Sequence, residues 1–411
     1  MQDIKAKHPD AKVEIVEAET LRNPLRNLLE KKAWWGLIGL SPHIYDALFW
    51  TTMALGKLPY ASRWMPRHIT EAQLRKLIQD KDPDTIVVTH HLSAVTLANL
   101  RMSGELRDKR VVLVHTDYYG EIFPKVSKRL DGKGAREPAM TFVAHPKLKD
   151  LWVSKGVTPS HVEVSGMPID PMAKEPIDTY SFVEGFPDGK AELAKLAARG
   201  LDKAAILREI EAKKLGRRYF LLSQHLDPDR PVITLMSGGK GVGDFPLMVR
   251  KLADSLKDIH PQIVAICGRN ATHARNLALM KDDLAREGVS LLIKGPTPER
   301  PLTPLHEVFR FVKSSDLYIA KSGGLSPTEG FAMGRPMILL GGVYGGHEKI
   351  NAKFFGDLGL AVINWKQKDI GEQARELLQD KKKQAAMAVA QKDFVRQIDI
   401  GKITDFIFRG R

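Results

Sequence analysis

Short apolar runs alternate with amphipathic stretches along almost the whole chain. Thr85–Thr89, Val111–His115, Thr141–Ala144 and Val162–Val164 are three- to five-residue apolar runs bounded by polar or turn residues, and Val13–Val16 has the same character. Glu71–Gln79 and Ala94–Met102 lie between them and carry apolar residues at helical spacing. The rhythm resumes at Val232–Met236 and continues through Gln262–Cys267, Ser290–Ile293, Leu317–Ala320 and Met337–Leu340. Strand, helix, strand at this pace predicts parallel sheets with crossover helices. Two α/β units are expected, at residues 1–178 and 231–383. Between them, 179–230 begins after a proline-stiffened exit, Met167-Pro168-Ile169-Asp170-Pro171. It carries a charged helical run, Ala191–Lys214, and reads as a helical insert or linker; 384–411 reads as a helical tail.

Composition adds limits. The 411 residues exceed one ordinary core. The net charge of +14 fits a polyanionic partner as well as a solvated basic surface. The single cysteine, Cys267, excludes an internal disulfide and a cysteine-rich zinc site. No apolar run approaches the ~20 residues of a membrane-spanning helix, and the polar start MQDIKAKHPDAK is not a signal peptide. Residues 31–67 hold four of the six tryptophans, including the pair Trp34 and Trp35, between Lys31, Lys32 and Arg63, Arg67. That composition suits either an interfacial membrane segment or a helix buried against a sheet.

Two strand ends carry candidate chemistry. Val232–Met236 runs into Ser237-Gly238-Gly239-Lys240-Gly241-Val242-Gly243, which lacks the Gly-Lys-Ser/Thr ending of a P-loop. Leu317–Ala320 runs into Lys321-Ser322-Gly323-Gly324, and Ser326-Pro327-Thr328-Glu329 then opens a helix. A glycine turn lets backbone approach a ligand, and a helix start presents free N–H groups to a phosphate. Glu329 has two readings: it accepts from a ribose diol, or it closes a capping box with Ser326.

The order strand–SGGKG, strand–CGRN, K-x-GGL-x-x-x-E-x-x-x-x-GRP–strand, GGHEKIN resembles the glycosyltransferases of the monogalactosyldiacylglycerol synthase and processive diacylglycerol glucosyltransferase group, related to the lipid II GlcNAc transferase. DPDTIVVTHHLS, VVLVHTDYY and VEVSGMPIDP agree with it in the first unit. The resemblance implies an α/β GT-B fold, two Rossmann-like domains facing a cleft, the first binding acceptor and the second the UDP-sugar. It places Gly238, Gly239 and Gly241 at the donor diphosphate, Gly323, Gly324 and Thr328 beside it, and Glu329 at the ribose. His347, Glu348 and Asn351 fall on the family segment P-G-Q-E-x-x-N that faces the donor sugar, with His347 replacing its glutamine. The loop from Gly295, rich in proline, corresponds to the uracil contact.

Two departures stand out. The family opens with a strand and a Gly-x-Gly-His loop carrying the base; this chain begins at the following helix, so the first domain is expected to lack that strand. After Thr116-Asp117-Tyr118, a basic loop replaces the family's His and Trp. The remaining base candidates for an inverting transfer are His90, His91 and Asp117 at first-unit strand ends, where packing or capping is the competing reading. No Asp-x-Asp motif stands where the family would hold a metal, so neither metal nor cofactor is expected. The expected partners are a UDP-sugar, a diacylglycerol-like lipid and an anionic membrane surface touched by Trp34 and Trp35, with no nucleic acid; the expected location is cytoplasmic, peripheral on the inner membrane face. A UDP-GlcNAc 2-epimerase-like isomerase and a catalytically impaired nucleotide-sugar-binding protein are the alternatives.

Overall fold

The structure is a computed structural model that describes residues 2–17, 71–118, 123–131, 135–175, 185–199, 205, 206, 209, 215–341 and 346–409. It divides into two compact units. The first comprises residues 1–168, 344–351 and 396–411; the second comprises 169–343 and 352–395.

The first unit is built on a four-stranded parallel sheet, in the order β1 (Thr85–Val88), β2 (Arg110–Val114), β3 (Ala139–Val143), β4 (Val162–Val164). Every residue of β2 and β3 is buried, as expected of parallel strands covered on both faces. Helices Glu71–Lys81 and His91–Met102 flank β1 in the chain. The C-terminal helix Gly401–Phe408 closes this unit: Phe406 and Ile407 pack with Val112, Val114, Met140 and Phe142. The buried guanidinium of Arg110 donates to the carbonyl oxygens of Phe406, Ile407 and Arg409 at 3.1, 2.8 and 3.1 Å. Val13–Val16 is not a strand. Ile15 is 70% exposed, because no neighbouring strand pairs with it among the described residues.

The second unit carries six parallel strands in the order β10-β9-β8-β5-β6-β7: β5 (Val232–Met236), β6 (Gln262–Ile266), β7 (Ser290–Lys294), β8 (Leu317–Lys321), β9 (Met337–Leu340) and β10 (Val362–Asn364). From β5 the chain winds outward through β6 and β7, then returns to the other side of β5 to lay down β8, β9 and β10. Strand order therefore reverses between β5 and β8, whose register sets Met236 beside Ala320. A large core runs through the sheet of this unit, from Ile233 and Leu235 to Phe245, Leu252, Ile263, Leu317, Ile319 and Ile338, with a smaller cluster of Leu193, Leu196, Ile206 and Tyr219 apart from it. The expected charged helix of 191–214 has its described part in Pro187–Ala198, and Leu215–Ser223 follows. Among the described residues no helix is long and apolar enough to cross a membrane.

Candidate functional site

In the second unit the two glycine-rich turns follow β5 and β8, the neighbouring strands between which the order reverses. Ligands of open α/β sheets gather at the carboxyl ends of strands at such a switch point.

The turn after β5 needs its glycines for two different reasons. Gly238 and Gly241 adopt φ of +67° and +58°, in the left-handed region that side chains resist. Gly241 also lies against the strand end of β6, where a Cβ would strike the Cys267 carbonyl oxygen. The next turn, the CGRN segment, locks onto the first. Arg269 N–H donates to Gly239 O at 2.8 Å, and Asn270 Nδ2 donates to Gly241 O at 3.0 Å. Asn270 Oδ1 also accepts from His273 N–H, capping helix Ala271–Arg286. A Cβ on Gly268 would lie 2.6 Å from Gly239 O. Gly239 is different: it is exposed, and the nearest atom a Cβ would meet is Leu302 Cδ2 at 3.9 Å. Gly241 is thus a packing and turn residue, and Gly239 keeps an open face. The CGRN turn was legible as a motif, but its role as a clamp was not.

Leu302 belongs to the proline-rich loop after β7. Arg300 N–H donates to Thr297 Oγ1 at 3.0 Å, and the Arg300 guanidinium reaches Glu307 at 2.6 Å. Lys294 pairs with the same carboxylate at 2.9 Å. Burial pushes the Glu307 carboxyl up, but Lys294 and Arg300 together outweigh it and hold it below the usual range.

After β8, Ser322 Oγ donates to Leu340 O at 3.2 Å, tying the turn to β9. Gly323 and Gly324 are buried, and helix Leu325–Ala332 begins with Gly324 as its N-cap and no side-chain cap. The Ser326–Glu329 capping box is therefore not formed. Thr328, which the resemblance put beside the donor, is fully buried, and its hydroxyl donates to Gly324 O at 2.7 Å. Glu329 is half-buried. Burial pushes its carboxyl up to about 6; the Asp170 N–H it accepts from pulls the other way, and the Asp170 carboxylate adds to the rise. Among the described residues no three His, Cys, Asp or Glu side chains gather as metal ligands.

The first unit holds the remaining candidates. Asp117, just beyond β2, is half-buried. The Asn351 amide donates to its carboxylate at 3.1 Å and accepts the Tyr118 N–H at 3.1 Å. Asn351 is fully buried, on a helix His347–Asp357 whose start belongs to this unit and whose remainder, from Ala352, belongs to the other. Of the other two residues from that segment, Glu348 is buried and His347 half-buried. His90 is exposed and precedes helix His91–Met102 without a side-chain capping bond. His91 opens that helix, and its side chain lies outside the described residues, as do Trp34 and Trp35. Sequence reasoning passed over His115. Its ring is buried edge-on to Trp152 at 5.3 Å, and burial pushes its pKa down to about 4 against the pull of Asp117. The only sequence signal was its place two residues before Asp117.

Comparison with known proteins then places the chain. The sequence profile of the monogalactosyldiacylglycerol (MGDG) synthase family matches residues 43–169. The chain is 30% identical over 240 residues to the processive diacylglycerol beta-glucosyltransferase of Bacillus subtilis, covering 58% of this chain and 49% of that protein. The resemblance is to the diacylglycerol glycosyltransferases. It extends to the Bacillus pumilus enzyme of the same name, 27% identical over 320 residues, 77% of this chain and 66% of that one. The chain spans about half the length of the first of these relatives and 66% of the second. Among solved structures, the UDP-GlcNAc 2-epimerase from Neisseria meningitidis bound to UDP-GlcNAc superposes with a TM-score of 0.50, 12% identity, and coverage of 83% of this chain and 80% of that one. That likeness supports the fold alone: α/β, two Rossmann-like units of the GT-B class.

Proposed function

We propose that this chain moves a hexosyl or N-acetylhexosaminyl group from a UDP-sugar to a diacylglycerol-like lipid, with inversion, at an anionic membrane surface on the cytoplasmic side. The observation that carries the reading is the pair of glycine turns at the β5/β8 switch point with Glu329 one turn into the adjoining helix. Loop amides and the start of helix Leu325–Ala332 favour a diphosphate, and a carboxylate beside them accepts from two ribose hydroxyls. The similarity to diacylglycerol glucosyltransferases supports the lipid acceptor. The sugar nucleotide is substrate, and the proposal includes neither a cofactor nor a nucleic-acid partner.

The chemistry asks for a base at the acceptor hydroxyl and for stabilisation of the leaving diphosphate. Asp117, held by Asn351, is the candidate base with a defined orientation. The test is calorimetric titration with UDP. The wild-type chain binds, and Glu329→Ala weakens binding by about 2–3 kcal/mol through loss of charge-assisted hydrogen bonds. Equal affinity in the two proteins removes Glu329 from the site. Radiolabelled UDP-sugars offered with diacylglycerol vesicles then give a glycolipid, whereas an isomerised sugar nucleotide formed without lipid would mark an epimerase.

A further inference from the structure

The last residue of β8, Lys321, is not a strand-end residue of ordinary exposure. It is half-buried. Its side chain runs along the neighbouring strand's turn: a Cβ on Gly238 would lie 3.0 Å from Lys321 Cε and 3.4 Å from Cδ. A side chain at position 238 would crowd the lysine stem by a few tenths of an ångström, and the φ of +67° at Gly238 is what calls for glycine there. The ammonium lies one bond beyond Cε. It is delivered by the β5/β8 register, which sets Met236 and Ala320 side by side and brings the residues that follow them, Ser237 and Lys321, to the same end of the sheet. Helix Leu325–Ala332 starts four residues beyond Lys321, so its N-terminal amides open at that same end.

We infer that Lys321 is the cation that holds the diphosphate of the donor and offsets the charge it gains on leaving. The inference rests on the donor-site reading above. During transfer the acceptor oxygen bonds to the anomeric carbon and its proton goes to the base. The bond from that carbon to the diphosphate oxygen breaks, and the oxygen keeps the electron pair. The diphosphate gains one negative charge in that step. Backbone amides meet part of it, and a point charge on a flexible stem, fixed by packing against Gly238, meets the rest.

The test compares UDP with uridine, which shares the base and ribose but has no phosphate. Lys321→Met is expected to weaken UDP about 10- to 100-fold, as for loss of a hydrogen bond to a charged group, and to leave uridine within about twofold. Lys321→Arg, which keeps the charge, is expected to retain most UDP affinity. Rising salt should weaken UDP for the wild type more than for Lys321→Met. In turnover, Lys321→Met should lower kcat beyond its effect on KM, because the charge is largest in the transition state. Three results would overturn the assignment: uridine and UDP weakened alike, which marks a mere strut for the turn; equal UDP affinity in wild type and Lys321→Met; or Lys321→Arg behaving as Lys321→Met. A wild-type chain that binds neither ligand overturns the donor-site reading itself, and this assignment with it.

Discussion

At Glu329 the polypeptide keeps a carboxyl group in a place that disfavours its charge. Its folded value of about 6 stands above the ordinary 4.5, so the native state holds a proton that the unfolded chain has lost between those two values. The group's contribution to stability is full below about 4.5 and is lost as pH rises through about 6, a change of about 2 kcal/mol. Ribose hydroxyls donate to the ionised form and would offset that penalty. Uridine affinity should therefore fall as pH drops below about 6, with one proton released per ligand bound near pH 5 and none near pH 7.5. Calorimetry in buffers of different ionisation enthalpy reads this directly, and Glu329→Gln should abolish the proton release. His115 in the first unit has the opposite sign. Its value of about 4, against an ordinary 6.5, means that its neutral ring favours the fold at neutral pH, and that contribution is lost as pH falls from about 6.5 to about 4.

Among elements, the C-terminal helix Gly401–Phe408 shows how far apart in sequence a structural unit gathers its parts. Phe406 sits at its centre, against Phe142 at 6.0 Å and under the Arg110 guanidinium at 5.6 Å. Removing that ring leaves a cavity beside β2 and β3 and loosens the carbonyls that Arg110 needs. Phe406→Ala is expected to destabilise the first unit by about 3–5 kcal/mol. Urea denaturation followed by hydrogen exchange of β2 and β3 amides measures it; protection unchanged in those strands would show that the helix contributes little. The strand β10 makes the complementary point. Val362–Asn364 ends on a polar residue and stands out as no apolar run, and only its pairing with β9 reveals it as a strand.

For the whole molecule, the net charge of +14 bears on the membrane part of the proposal. Trp34 and Trp35 between Lys31, Lys32, Arg63 and Arg67 suit a headgroup layer, with each cation near an anionic surface contributing about 1 kcal/mol. Binding to vesicles containing anionic lipid should exceed binding to neutral vesicles, weaken with salt, and drop in the Trp34→Ala/Trp35→Ala double variant. Co-sedimentation measures this. Equal sedimentation with both kinds of vesicle would remove the anionic surface from the proposal.

The residues alone determined what is local. Nine of the ten strands among the described residues could be read from apolar runs bounded by turn residues, most plainly β2 and β3, which are buried throughout and so must be apolar on both faces. The glycine turns could be read for the same reason: positive φ at Gly238 and Gly241 is a constraint on single residues. Tertiary structure decided what depends on neighbours. That β5 lies beside β8 and not between β6 and a strand of its own half, that Gly241 answers to the Cys267 carbonyl, that Thr328 turns its hydroxyl back into its own helix, and that Asn351 holds Asp117 are all contacts that packing selects. Local sterics and hydrophobic period act within a few residues of chain. Partners brought from 81 to 297 positions away, as Ser315 is to Thr234 and Ile407 to Arg110, are chosen only when the whole core closes and every buried donor must find an acceptor.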